Sequence, residues 1–364
     1  MKLKKLVISG DPFSRGVQYG EKTKTLIEKG LRNYRLAFLQ SSGVTWEKAI
    51  RFSRTFIKRI RAYDEAMADE IKGMAKGSGR TLEEILILNL RTEILYGLKQ
   101  VREGCTALCC LPEITRGEET FLAQNWDNKP WIAETMLLLQ VDRGTEPDIL
   151  TIVEAGQMAR MGMNSAGHGL CNNYIECEED GRDMERGIPT TFIRRKALGQ
   201  EKYYDVLGTI IHTPRSFSAN YLVATSEGNG DAIDVETTLG EIYFLFPENG
   251  WMTHANHFTG RGPGYVGILW KGIESSLYRD RRAGKLLAGN AGKIGISEIQ
   301  GVLKDHFGFP RSICRHLDEN EAEQYRWRTN ASVIMDLSSR VLWLTAGSPC
   351  ECDYHRCTFD RKDA

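Results

Sequence analysis

The chain has no long apolar run, no excess of either charge and no even complement of cysteines. Nothing approaches the eighteen or so consecutive apolar residues of a membrane span, and near the start only Leu6, Val7 and Ile8 are contiguous, too short for a signal-peptide core. Lys plus Arg (48) equals Asp plus Glu (48). A balanced chain has no global field to draw it onto nucleic acid or an anionic membrane, so the expected partner is a small molecule. Nine cysteines, two of them adjacent at Cys109 and Cys110, do not form the paired framework of a secreted scaffold. These absences together predict a cytoplasmic protein with reduced thiols. A glycine-rich phosphate loop is missing too: Gly228-Asn-Gly230 and Gly262-Pro-Gly264 lack a following helix of the kind that such a loop needs. No internal repeat or low-complexity linker appears.

What is present is an ordinary globular composition, 364 residues with 41% hydrophobic and 26% charged, and two textures. The first hundred residues are helical in pattern, with apolar positions at three- and four-residue steps through EKTKTLIEKGLRNYRLAFL, TWEKAIRFSRTFIKRI, DEAMADEIKGMAKGSG and TLEEILILNLRTEILYGL. Thr81 followed by Glu84 reads as a capping box. Glu93 then falls inside an apolar helix, with Arg91 or Arg102 as its expected partner.

At Gly104 the texture turns extended. CTALCCLP and TFLAQNWD flank ITRGEE as a hairpin, and TMLLLQVD, ILTIVEA, GHGLCNNYI, SANYLVATSE, DAIDVETT, EIYFLFPE and WMTHANHF continue as strands. Helices are expected near Thr190 to Leu198, over SSLYRDRRAGKLLAG and over ISEIQGVLKDHF, and SVIMDLSSRVLWLTAG reads as a closing hairpin. Helices first and many strands after predict an α+β layered protein rather than a doubly wound one.

The chemistry concentrates at the junction. A thiol directly after a glycine can attack the preceding carbonyl, and glycine tolerates the bend. Cys105 would then carry a free α-amino group, whose ordinary pKa of about 7.7–8.0 suits it as the base for its own thiol. Alone, a strand-start cysteine is more often a small buried hydrophobe. In QNWDN the alternation of a strand puts Asn125 and Asp127 on one face and Trp126 on the other, so Asp127 can hold the Cys105 amine. Asn172, Asn173 and Asn256 stand at strand ends, neutral donors of the kind that stabilise an oxyanion or simply cap turns. His254 and His257 are expected to be structural. Arg194, Arg195, Arg281 and Arg282 are expected on solvated helix faces.

A second grouping, Cys350, Cys352, His355 and Cys357, carries zinc-type donors at a spacing too tight for a tetrahedron. No metal is expected there. Cys105, Cys109 and Cys110 admit a rival reading as part of a metal or redox cluster in a protein without turnover.

GCTALCCLP with AQNWDN, then GMNSAGHGLCNN, THANHF and SSLYRDR, and in the helical part GDPFSRGVQYGE and EIKGMAKGSG, resemble the peptidase C45 family of acyl-coenzyme A:6-aminopenicillanic acid acyltransferases. More distantly they are similar to bile salt hydrolases and penicillin V acylases. The resemblance implies the four-layer αββα sandwich of N-terminal nucleophile hydrolases. It implies self-cleavage between Gly104 and Cys105 into a helical chain, 1–104, and a catalytic chain, 105–364, that stay associated as one unit. By position it makes Cys105 the nucleophile, Asp127 the residue that orients the amine and Asn256 the oxyanion donor. Asn173 and Arg279 match further active-site positions. The implied activity is amide hydrolysis or N-acyl transfer on a small acylated amine, amino acid or peptide through a thioester, with acyl-coenzyme A as one admissible acyl donor and no cofactor.

Overall fold

The computed structural model describes residues 3–96, 104–260, 274–323 and 326–360. Arg102 and the Gly262-Pro-Gly264 pattern lie outside them. Among the described residues the strands form two sheets. Eight strands run in the order β1-β4-β5-β6-β7-β8-β9-β10: β1 (Lys5–Ile8), β4 (Met136–Val141), β5 (Ile149–Glu154), β6 (Gly162–Asn164), β7 (His168–Asn173), β8 (Ala219–Thr225), β9 (Asp231–Thr237) and β10 (Ile242–Leu245). Six run in the order β11-β2-β3-β12-β13-β14: β11 (Trp251–His254), β2 (Cys105–Cys110), β3 (Phe121–Asn128), β12 (Arg328–Asp336), β13 (Val341–Ala346) and β14 (His355–Thr358).

The two sheets face each other. Ala107, Cys109, Leu122 and Trp126 from one meet Leu138, Leu150, Cys171 and Leu222 from the other in one apolar cluster. The outer face of the larger sheet, through Leu137, Leu139 and Val141, packs on helices α1 (Pro12–Ala37), α2 (Trp46–Tyr63), α3 (Glu65–Ser78), α4 (Leu82–Asn89), α6 (Thr190–Leu198) and α7 (Tyr203–His212). On the far side Leu108, Cys110, Phe121 and Ala123 pack on α8 (Glu274–Ala288) and α9 (Ile296–Leu303). This is the αββα sandwich expected. Every residue of β2, β3, β4, β5 and β8 is buried, because each of these strands is covered on both faces, and so their sequences are continuous rather than alternating.

The helical layer is assembled by local signals. Asp11 caps α1 through its side chain, and the Thr81–Glu84 capping box opens α4 as expected. Helices α1 and α3 cross at glycines: Cβ atoms on Gly16 and Gly20 would collide with main-chain atoms of α3, and on Gly73 and Gly77 with main-chain oxygens of Phe13 and Val17. Such backbone-to-backbone contact leaves no side chain to yield. No helix among the described residues is long and apolar enough to cross a membrane.

Expectations for three charged groups change. Of the two partners expected for Glu93, in α5 (Arg91–Tyr96), Arg102 lies outside the described residues and Arg91 turns elsewhere; among the described residues Glu93 Oε1 accepts from the Thr190 N–H at 3.2 Å and the Ser216 hydroxyl at 2.9 Å. The free N–H groups at the start of α6 supply what a cation would have, and Arg91 pairs with Glu154 at 3.0 Å instead. Arg194 and Arg195 are buried rather than solvated. Arg195 donates to both oxygens of Glu70 at 2.9 Å, and Arg194 reaches Asn172 and Thr191.

Candidate active site

Strand β2 begins at Cys105, and the hairpin sets Cys105 opposite Trp126 and Ala107 opposite Gln124. Alternation turns Cys105, Ala107 and Cys109 toward the space between the sheets and Leu108 and Cys110 toward α8 and α9. Both main-chain groups of Cys105 are held. Its N–H donates to Oδ1 of Asn256 at 2.8 Å, and its carbonyl accepts from Nη1 of Arg279 at 2.6 Å. The same Nη1 reaches Thr106 Oγ1 at 2.8 Å, and Nη2 reaches Asn256 Oδ1 at 2.9 Å. Arg279 therefore ties the nucleophile candidate and the asparagine into one unit from α8. Burial holds its pKa below the usual arginine value, a loss that the charge of Asp127 counters.

Asn256 is placed by the end of β11, which pairs with β2 so that His254 stands opposite Ala107. Its amide orientation follows from its partners: Oδ1 faces two donors, and Nδ2 donates to the Tyr174 carbonyl at 2.9 Å. Its own N–H donates to Ser276 Oγ at 2.6 Å. Burial, with the nearby His254 charge, lowers the His257 pKa to about 4, and its Nδ1 shares a hydrogen bond with Ser276 Oγ at 2.7 Å.

Asp127 and Gly104 meet on the other face. A Cβ on Gly104 would lie 2.7 Å from Nη1 of Arg315 and 3.2 Å from Oδ2 of Asp127, so a side chain here would have to displace the Arg315 guanidinium. Oδ1 of Asp127 accepts from Thr329 Oγ1 at 2.6 Å, and that hydroxyl accepts from the Arg315 N–H at 2.9 Å. With the peptide bond before Cys105 intact, the nitrogen expected to meet Asp127 is an amide bound to Asn256. Asp127 lies instead against the glycine on the other side of that bond.

Asn173 does something different from the other site candidates. Its Nδ2 donates to the His254 carbonyl at 2.7 Å and its Oδ1 accepts from Gln124 at 2.5 Å, so it bridges the two sheets one step behind Asn256. Beneath it lies a buried charged group: His254 Nε2 is 2.8 Å from Glu236 Oε1 and 4.0 Å from Asp234. Burial alone would lower the His254 pKa, but the two carboxylates outweigh it and raise it to about 9. Glu236 also accepts from Thr259 and Gly260 N–H groups. Arg315, Thr329 and Tyr174 carry no motif in the sequence, and Ser276, within SSLYRDR, carries no expected role of its own.

The cysteine groupings separate. Cys109 and Cys110 point into different clusters, and Cys105 and Cys109 are four strand residues, about 13 Å, apart. Cys352 Sγ faces the Ala346 carbonyl at 3.4 Å and Cys357 lies on β14, whereas Cys350 stands beside Cys314 and His316.

Fold and site together define a layered α+β enzyme with a thiol at the head of a central strand, held between an asparagine and an arginine. The profile of the acyl-coenzyme A:6-aminopenicillanic acid acyl-transferase family matches residues 114–351, and the chain belongs to that family. The match contains Asp127, Asn173, Asn256 and Arg279 and begins after Cys105. The acyl-coenzyme A:6-aminopenicillanic-acid-acyltransferase 40 kDa form of Emericella nidulans is 25% identical over 348 residues, 93% of this chain and 91% of the relative. Among solved structures, a mutant conjugated bile acid hydrolase from Clostridium perfringens is similar with a TM-score of 0.47 and 12% identity over 71% of this chain and 97% of that one. Penicillin V acylase from Agrobacterium tumefaciens gives 0.46 and 14%, over 66% and 83%.

Proposed function

We propose that the protein cuts its own chain between Gly104 and Cys105 and then acts as an N-terminal cysteine amidohydrolase or acyltransferase. The observation that carries this reading is the clamp on Cys105: a thiol at the first residue of β2, preceded by a glycine closely faced by Arg315 and Asp127, with Asn256 on its N–H and Arg279 on its carbonyl. In self-cleavage the Cys105 sulfur bonds to the Gly104 carbonyl carbon, the C–N bond breaks and the thiol proton passes to the departing nitrogen. Water then hydrolyses the thioester, leaving the Gly104 carboxylate and a free Cys105 amine.

In turnover the same sulfur attacks the carbonyl of a small N-acyl substrate, its proton passing through the α-amine to the leaving nitrogen. Asp127, beside Gly104, takes the freed ammonium as partner, and the Asn256 amide supplies a donor to the tetrahedral oxyanion. Water reaching the thioester gives hydrolysis; an amine gives acyl transfer. The family and the Emericella nidulans relative support an acyl donor of the acyl-coenzyme A class. All nine cysteines are free, which suits a reducing compartment such as the cytoplasm. The rival reading, a metal or redox centre at Cys105, finds no second donor among the thiols nearest in sequence.

Intact-mass measurement tests the proposal. Chains of 104 and 260 residues, about 12 and about 29 kDa of the 41.1 kDa total, are expected, with Cys105→Ala remaining whole and inactive. Cleavage of Cys105→Ala at the same bond would assign the cut to an outside protease.

A further inference from the structure

Away from the clamp, His306, Cys314, His316 and Cys350 bring four donor atoms within 4.8 Å of one another. The separations are those of a coordination shell. Cys314 Sγ and Cys350 Sγ are 3.5 Å apart, His316 Nε2 is 3.6 and 3.3 Å from the two sulfurs, and His306 Nε2 is 3.1 Å from His316 Nε2. A tetrahedral zinc with bonds of about 2.3 Å to sulfur and about 2.0–2.1 Å to nitrogen sets its ligands about 3.8 Å (S to S), about 3.6 Å (S to N) and about 3.3 Å (N to N) apart. Each measured distance lies within a few tenths of an ångström of its counterpart.

We propose that these four side chains form a structural zinc site of the Cys2His2 type. Two thiolates and two imidazoles in a tetrahedron select zinc over the hard, oxygen-seeking cations, and four protein ligands leave no open position for a reacting water. Lone pairs converging on one point satisfy each other poorly through shared protons; a divalent cation satisfies all four. Around them lies the support that such sites carry: His316 Nδ1 is 3.5 Å from Glu351 Oε1, and Glu351 is in turn held by Arg328 at 2.9 Å. A carboxylate behind a ligating imidazole fixes its tautomer.

The donors come from two loops, one after α9 and one after β13, and the metal joins them. Arg315 lies between two of the ligands, and its main chain is bound on both sides by Thr329: Arg315 N–H to Thr329 Oγ1 at 2.9 Å, and Thr329 N–H to the Arg315 carbonyl at 3.0 Å. Zinc on Cys314 and His316 thus orients the segment whose intervening guanidinium points inward at Gly104. The sequence placed Cys350 with Cys352, His355 and Cys357; the fold pairs it with residues more than thirty positions upstream.

Full-length protein, kept reduced, reconstituted with zinc alone and desalted, should retain about one zinc per chain by elemental analysis. Cobalt in its place should give the visible bands of a tetrahedral ion and a near-ultraviolet thiolate-to-cobalt band. Cys350 is exposed, so Cys350→Ser should fold and lose most of the zinc and most of the thiolate band, and Cys352→Ser should match the wild type. These readouts are independent of whether the chain cuts itself. Wild-type protein that retains no zinc and gives no thiolate band, or zinc content unchanged in both Cys350→Ser and Cys314→Ser, would overturn the proposal.

Discussion

Oδ1 of Asn256 lies 2.8 Å from the Cys105 nitrogen while its Nδ2 is turned to the Tyr174 carbonyl, so one side chain holds the head of the strand with its acceptor and keeps its donor free of that task. The two ends separate by mutation. Asn256→Ala removes both and should lower kcat roughly 10²–10³-fold, about 3–4 kcal/mol, with KM little changed, as for a donor used only in the transition state. Asn256→Asp restores the acceptor but not the donor. If it is as slow as Asn256→Ala, the donor matters; recovery of near-normal kcat would reduce Asn256 to a clamp.

Gly104→Ala should fold and self-cleave slowly. The added methyl meets the end of a flexible arginine at 2.7 Å, so the fold can yield, but Arg315 and Asp127 must move off the bond to be cut. Cleavage at least tenfold slower, about 1.4 kcal/mol in barrier, is expected in a mass time course, with partial recovery in Gly104→Ala/Arg315→Ala. A wild-type rate for the single variant would show that the crowding has no role.

At the α1–α3 crossing the neighbours are backbone, and the outcome differs. Gly73→Ala would set a methyl against the Phe13 carbonyl, where the helices can only part. A loss of about 3 kcal/mol in denaturant unfolding is expected, and a loss below about 1 kcal/mol would mean that α1 and α3 slide apart freely.

Stability should also fall on the alkaline side. The pKa of His254 rises from 6.5 to about 9 in the folded protein, so the folded state binds this proton more tightly than the unfolded one. That contribution is complete below about 6.5 and is lost as pH climbs through about 9. Melting temperature measured across this window should drop, and in Glu236→Gln the drop should begin at lower pH because one carboxylate has gone. A flat profile in the wild type would mean that His254 is neutral.

Much of this was legible in the sequence wherever the signal is local. The hairpin around ITRGEE, the Thr81–Glu84 box and the helix Thr190–Leu198 stand where the pattern put them. Cys105, Asn256 and Arg279, separated by as many as 174 positions, do meet. The failures share one cause, which is that charge partners are chosen in three dimensions. Arg195 looks solvated until Glu70, 125 residues away, is folded against it. Glu93 found a helix N-terminus that no pattern in its own helix announces. Arg315 is one arginine among many until the 104–105 bond is set before it, and the zinc-type quartet draws on His306 and Cys350 from opposite ends of β12 and β13. Strand β1 is only four residues long, and the apolar run Leu6 to Ile8 is too short to announce a strand.

That short strand decides what a cut at 104 would mean. Lys5 to Ile8 run parallel to Leu138 to Val141, so the segment before the bond supplies an edge strand, as well as most of one helical layer, to a sheet whose other strands all come after it. Cutting the chain removes a connection without creating a second folding unit. Unfolding would then release two molecules from one, and refolding would become a bimolecular encounter whose yield depends on concentration. A protein that matures in this way can unfold reversibly before the cut and only with difficulty after it.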